Sequence, residues 1–246
     1  MVVLYFLYEV LIFLPIFVTG AIIASFVTYF GCLLGFGKYM GYYPGVLWSK
    51  VTCWLALCPY KVTGREKLDP NTSYIFVANH QGAFDIFLLY AGLDHSFRWM
   101  LRKGIQKLPF IGPACDKAGH IWVDERGASG MMHTVRQALR TLQGGTSMVI
   151  FPEGTRTADG HMNRFKKGAF TLAAMLKLPV VPITIDGPYK IMPKSTLLIR
   201  PHRMTITIHD PLPAVTKQEG NDAGVERLLH DSQRVIAESL GEPIQK

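Results

Sequence analysis

Between Val10 and Gly37 the chain has no charged residue, and the first sixty positions carry only Glu9, Lys38 and Lys50. A helix built from such a run has few polar residues to turn to water, which favours a membrane segment over the plainer alternative of a buried core helix. Roughly twenty apolar residues of helix cross a bilayer core, so the run is long enough for a span or a half-inserted hairpin. A secretory leader is disfavoured, because the first residues lack Lys and Arg and the apolar sequence continues far past a leader's length. Pro15, Gly20, Gly31, Gly35 and Gly37 interrupt the run and predict a kinked helix or a helical hairpin. A second apolar block, Tyr42 to Tyr60, holds Trp48 and Trp54 with Lys50 between them, a grouping suited to the membrane–water interface.

Other absences exclude other chemistries. There are four cysteines, Cys32, Cys53, Cys58 and Cys115, and no Cys/His spacing of a zinc site, so no metal is expected and no disulfide is required. No G-x-S-x-G pentapeptide occurs, which removes the nucleophile elbow of a serine esterase or lipase. The formal net charge is +8, with cations concentrated in Arg98–Lys107 and Arg156–Lys167 and recurring at Lys190, Lys194, Arg200 and Arg203. Nucleic acid, anionic lipid headgroups and a phosphorylated substrate all answer to such a surface. The basic stretches lack interleaved base-stacking aromatics, so nucleic acid is set aside, and the apolar start puts lipid first.

After Tyr60 the rhythm changes. Short β-branched runs at 73–78, 119–123, 147–151 and 180–185 alternate with amphipathic stretches at 83–93, 130–142 and 168–178. Thr196–Arg200 and the "RMTITIHD" that follows read as two more strands, and a final helix is expected over Asn221–Leu240. The alternation predicts an α/β fold, a mainly parallel central sheet flanked by helices and preceded by a hydrophobic N-terminal membrane helix or helical hairpin. The boundary is placed near Tyr60. Residues 1–60 form the membrane-associated helical segment, and residues 61–246 form the α/β domain.

Two motifs follow strands, at the carboxyl ends where open α/β sheets bind ligands. "NHQGAFD" places His80 five positions before Asp85, with no hydroxyl or thiol between them. A carboxylate one helical turn away can fix the tautomer of the imidazole and leave its other nitrogen as a base. Lacking a nucleophile of its own, the pair is suited to deprotonate a hydroxyl brought by a substrate. The plainer alternative is that His80 caps a helix and Asp85 balances its dipole. "FPEGTR" offers backbone N–H groups at Gly154 and Thr155, a hydroxyl, and the Arg156 guanidinium, a set that suits a phosphate monoester; Arg102 and Lys103 are candidates to add charge.

Together "NHQGAFD", "FPEGTR", "RFKKGAFTLA" and "VPI", in that order over about Gly64 to Ile185, resemble the glycerolipid acyltransferase family, especially its lysophosphatidic acid (1-acylglycerol-3-phosphate) acyltransferases. The resemblance implies His80 as general base and Asp85 as its orienting partner. It implies Glu153, Gly154, Thr155 and Arg156 as the glycerophosphate site, with Lys103 as a helper, and Val181–Ile183 as a block that shapes the site or meets the acyl chain. Two departures stand out: Glu125 follows the aspartate of "HIWVDERG" where the family has arginine, and Gly82 stands where serine is frequent. The implied reaction moves a fatty acyl group from acyl-CoA or acyl carrier protein to the sn-2 hydroxyl of lysophosphatidic acid, giving phosphatidic acid. It uses no cofactor beyond the thioester co-substrate. Membrane lipids are the implied partners, and the implied location is a membrane, with the catalytic domain on the cytoplasmic face of a bacterial inner membrane. The alternatives are a different lysolipid acceptor, thioester hydrolysis, or a non-catalytic membrane lipid-binding protein.

Overall fold

The computed structural model describes residues 2–123 and 127–244; the Glu125 departure lies outside the described residues. Val2–Tyr8 (α1), a π-helical turn at Glu9–Phe13 and Leu14–Leu33 (α2) run on as one apolar helix. The wide turn sits just ahead of Pro15, whose ring in a regular helix would strike the carbonyl of Leu11 four residues back. Its 30-residue stretch Leu4–Leu33 has a mean hydropathy of 2.6, long and apolar enough to cross a membrane by length and composition. Gly35, at φ 93°, ends the rod and reverses the chain. Gly37–Met40 (α3) and Tyr43–Leu55 (α4) return along it. The hairpin is closed at Trp48, whose indole N–H donates to the carbonyl of Phe17 (3.3 Å) and whose ring lies where a Cβ on Gly20 would come within 3.0 Å.

The remaining elements are Tyr60–Thr63 (β1), Ile75–Ala78 (β2), Phe84–Gly92 (α5), Phe97–Arg102 (β3), Lys103–Gln106 (α6), Ile111–Ala118 (α7), Ile121–Val123 (β4), Gly127–Thr141 (α8), Ser147–Ile150 (β5), Gly168–Leu176 (α9), Val180–Asp186 (β6), Pro188–Ile191 (α10), Met204–Ile208 (β7) and Asn221–Leu240 (α11). The seven strands lie in the order β1-β7-β6-β2-β5-β3-β4. Neighbours pair in parallel except β6 and β7. Strand β2 shows why the sheet is covered on both faces. Phe76 and Ala78 point into a core shared with Phe84 and Leu88 of α5, Leu55 of α4 and Phe13. Ile75 and Val77 point the other way, to Phe170 and Leu172 of α9, Ala138 of α8 and Leu228 of α11. The N-terminal hairpin therefore packs into the same core as the sheet.

Two strands were not read from the pattern. β1 is short and charged, and β3 carries Arg98 in its interior. Arg98 is buried, its guanidinium donating to the carbonyls of Phe97 (3.0 Å) and Gly37 (3.4 Å), so the basic run Arg98–Lys107 begins inside the protein. Conversely, Thr196–Arg200 is not a strand. Its apolar residues find no sheet edge; instead the N–H of Ile199 donates to Glu9 Oε1 (3.0 Å) and that of Arg200 to the carbonyl of Ile191 (3.0 Å).

Candidate active site

β2 and β5 are hydrogen-bonded neighbours with Val77 opposite Ile150, so the two motifs that follow them leave the sheet side by side. Asn79 clamps its strand to β6, accepting from the N–H of Ile185 and donating to its carbonyl, both at 2.8 Å. His80 comes next, at the end of the clamped strand. Nδ1 of His80 lies 2.6 Å from Oδ2 of Asp85, which also accepts the N–H of Gly82 at 3.0 Å. A carboxylate can only accept, so Nδ1 carries the proton and Nε2 is left for the cleft that His80 lines. The imidazole lies flat on Phe151, centroids 3.9 Å apart and planes within 7°. Gly82 has no room for a side chain: a Cβ would meet the carbonyl oxygens of Pro188 at 2.7 Å and Met192 at 3.0 Å. The serine of the resembled family would clash with α10 here.

Asp85 is fully buried, and burial raises its carboxyl above the usual range, against the pull of His80 and the Gly82 N–H. A charge held in this position is best neutralised by a proton arriving on the imidazole, which is what a general base acquires during reaction.

The "FPEGTR" loop divides between support and binding. Glu153 is buried rather than turned to the cleft. Its Oε1 accepts the main-chain N–H of His80 (2.7 Å), and Oε2 accepts the N–H and the side-chain amide of Asn163 (2.8 and 2.7 Å). Burial raises its pKa, opposed by those bonds. Expected in the glycerophosphate site, Glu153 is turned into the protein, with both oxygens accepting from His80 and Asn163. The N–H of Gly154 closes a turn onto Phe151 (3.0 Å), so it is not available to an anion as the loop sequence suggested. Gly154 itself is required by its φ of 76°.

Thr155 and Arg156 do line the cleft, and Arg102, Lys166 and Lys194 join them there. Arg102 leaves β3 and donates to the carbonyl of Gly154; Lys194 reaches the Thr155 hydroxyl at 3.4 Å. Lys103, the expected helper, opens α6 on the exposed surface and is not among the lining side chains. Neither Lys166 nor Lys194 was singled out for this site from sequence. Lys194 comes from a loop about forty residues downstream, which no local pattern connects to Thr155.

From this basic mouth a cavity of about 930 Å³ runs under the N-terminal hairpin. Its walls include Trp99, Phe87 and Trp48 and a face of α2. That face consists of Ala21, Ala24, Ser25 and Thr28, small residues at helical spacing, so α2 opens a trough where larger side chains would fill it. The arrangement joins the His80–Asp85 pair, a cationic mouth and a largely apolar cavity.

Residues 59–186 match the family model described as Acyltransferase, just over half of the chain. The chain belongs to the acyltransferase family. Its relatives include proteins named 1-acyl-sn-glycerol-3-phosphate acyltransferases. One from Chlamydomonas reinhardtii is 32% identical over 245 residues, covering 97% of this chain and 69% of that protein. The chloroplastic enzyme of Arabidopsis thaliana is 34% identical over 196 residues, 79% of this chain and 52% of its own, so the chain spans about half the length of that relative. The crystal structure of the 1-acyl-sn-glycerophosphate acyltransferase from Thermotoga maritima superimposes with a TM-score of 0.75 at 22% identity, over 99% of this chain and 98% of that one. At that identity the likeness is one of fold, and it extends to the seven-stranded sheet and the apolar N-terminal helix.

Proposed function

We propose that this acyltransferase moves a fatty acyl group from a thioester, on coenzyme A or acyl carrier protein, to the sn-2 hydroxyl of lysophosphatidic acid. The observation that carries the reading is the His80–Asp85 pair opening into a cleft whose mouth is lined by Arg156, Lys194, Lys166 and Arg102. A phosphate monoester held by those cations and by the Thr155 hydroxyl brings the glycerol hydroxyl toward His80. Nε2 takes the hydroxyl proton as the oxygen attacks the thioester carbonyl, and Asp85 stabilises the imidazolium. Collapse of the tetrahedral adduct breaks the C–S bond, and the leaving thiolate takes the proton back from His80. The products are phosphatidic acid and the free thiol. The apolar slot beside α2 shelters an acyl chain during this exchange. Transfer is direct in this reading, because the motif that carries His80 and Asp85 has no hydroxyl or thiol of its own.

Both lipids reside in a leaflet, so the apolar helix delivers the cleft to them, and the basic α/β region lies on the cytoplasmic side where acyl thioesters are found. The test supplies purified protein in detergent with lysophosphatidate and either acyl-CoA or acyl carrier protein loaded with the same chain, and follows phosphatidate by mass spectrometry. Product with one donor assigns the donor. No product with either, alongside product from another lysolipid, would overturn the acceptor assignment.

A further inference from the structure

Outside the N-terminal hairpin, the segment joining α10 to β7 exposes apolar surface in an unusual way. Leu197 is 87% exposed and Leu198 47%, while the next residue, Ile199, is 6% exposed. The leucines are presented by a braced loop. Ile199 packs in the core with Phe13 and Ile191, its N–H held by Glu9, and the N–H of Leu198 donates to Thr196 Oγ1 at 3.0 Å. Single exposed leucines are ordinary on protein surfaces. This pair is flanked by the exposed cations Lys190, Lys194, Arg200 and Arg203, and no acidic residue occurs between Asp186 and Asp210.

The loop's position adds a second argument. Glu9 belongs to the apolar N-terminal helix, so its bond to Ile199 fixes the loop beside the run Leu4–Leu33. Lys194, at the loop's start, lines the same cleft as Ala24 and Thr28 of α2.

We propose that the loop 193–203 is a second membrane contact, in which Leu197 and Leu198 enter the boundary between headgroups and acyl chains of an anionic leaflet. The surrounding cations meet headgroup phosphates, as basic residues do around interfacial apolar anchors. Insertion there sets the mouth of the cleft at headgroup level, where the phosphate of a lysolipid lies. That consequence rests on the proposed function; the contact itself does not.

The test places full-length Leu197→Trp protein in nanodiscs containing phosphatidylglycerol and brominated phosphatidylcholine, and reads its fluorescence against wild type, which supplies the signal of the four native tryptophans. The added emission should shift to the blue and be mostly lost with bromines high on the acyl chain, less so with bromines near the terminal methyl. Leu198→Trp repeats the reading where Leu197→Trp lowers the melting temperature. An added tryptophan that emits as in water and resists quenching, in protein that melts like wild type, overturns the contact. So does one that stays aqueous in the nanodisc and shifts only when acidic acyl carrier protein is added, since the loop would then be a protein dock. Because quenching needs no turnover, quenching without acyl transfer would sink the proposed function and leave the contact standing. As a second readout, Leu197→Ser/Leu198→Ser should slow transfer to lysolipid in vesicles and spare transfer to a short-chain acceptor dissolved as monomer; equal loss on both would contradict the proposal.

Discussion

The main-chain N–H of His80 donates to Oε1 of Glu153 at 2.7 Å, joining two motifs 73 positions apart. The bond fixes the backbone that carries His80, and the side chain supplying it is buried and is not among those lining the cationic mouth of the cleft. Glu153→Gln keeps the shape but replaces one acceptor oxygen with an NH2 that must face other N–H donors. We expect stability to fall by about 1–3 kcal/mol. In kinetics kcat should fall while KM for the acceptor stays near wild type; a rise in acceptor KM alone would return Glu153 to the binding surface.

Asp85→Asn removes the acceptor that holds the proton on Nδ1 of His80. Turned with its NH2 to Nδ1, the amide favours the wrong tautomer and gives up the Gly82 N–H that shares the same oxygen; in either orientation it carries no charge to stabilise an imidazolium. A loss of about 10³-fold or more in kcat is expected, with binding of both substrates retained. Steady-state kinetics on protein with an unchanged circular dichroism spectrum checks it, and a loss under tenfold would show that the pair does not act as base and orienter.

Arg156 and Lys194 meet across the mouth of the cleft from segments that the sequence keeps far apart. A charge-assisted bond to phosphate is worth about 1.5–3 kcal/mol, so Arg156→Ala should raise KM for lysophosphatidate about 10- to 100-fold and leave KM for the acyl donor unchanged. Lys194→Met should do the same more weakly, and both effects should shrink as salt is added. Equal effects on donor and acceptor KM would move these cations to the thioester carrier.

His120 sits at the deep wall of the cavity, its Nδ1 accepting the N–H of Trp99 at 3.1 Å. Burial, with the nearby Arg98 charge, lowers its pKa to about 3. An unfolded histidine takes up its proton near the ordinary value of about 6.5, and the folded one does so only near 3, so the unfolded state binds more protons between those values. Stability should therefore fall as pH drops through that window, by about 2 kcal/mol between pH 6.5 and 5 from this residue. His120→Asn, whose Oδ1 can accept the Trp99 N–H, should flatten that part of a plot of melting temperature against pH. An unchanged slope would contradict the assignment.

What could be read from sequence was what is local. The spacing of His80 and Asp85, the turn of "FPEGTR" and the strands that precede both motifs lie within short windows, and the structure brings them together at the carboxyl ends of two neighbouring central strands. The rest depended on tertiary placement. Glu153 looked like part of an anion loop because its partner is a main-chain N–H of a distant segment. Arg98 looked like surface charge because nothing local announces that β3 lies inside the sheet. Leu197 and Leu198 looked like strand because apolar content alone does not say whether an edge is there to receive them. Ala21, Ala24, Ser25 and Thr28 were not singled out within the apolar run, although their helical spacing marks the wall of the cavity.

The central claim is that His80 deprotonates a hydroxyl supplied by the acceptor lipid. Thiol release from acyl-CoA, or from acyl carrier protein if that is the donor, followed with and without lysophosphatidate in wild type and His80→Ala, tests it most directly. The account predicts release that requires lysophosphatidate and disappears in the variant. Release of equal rate without the acceptor, or a variant that retains acceptor-dependent release, would contradict it.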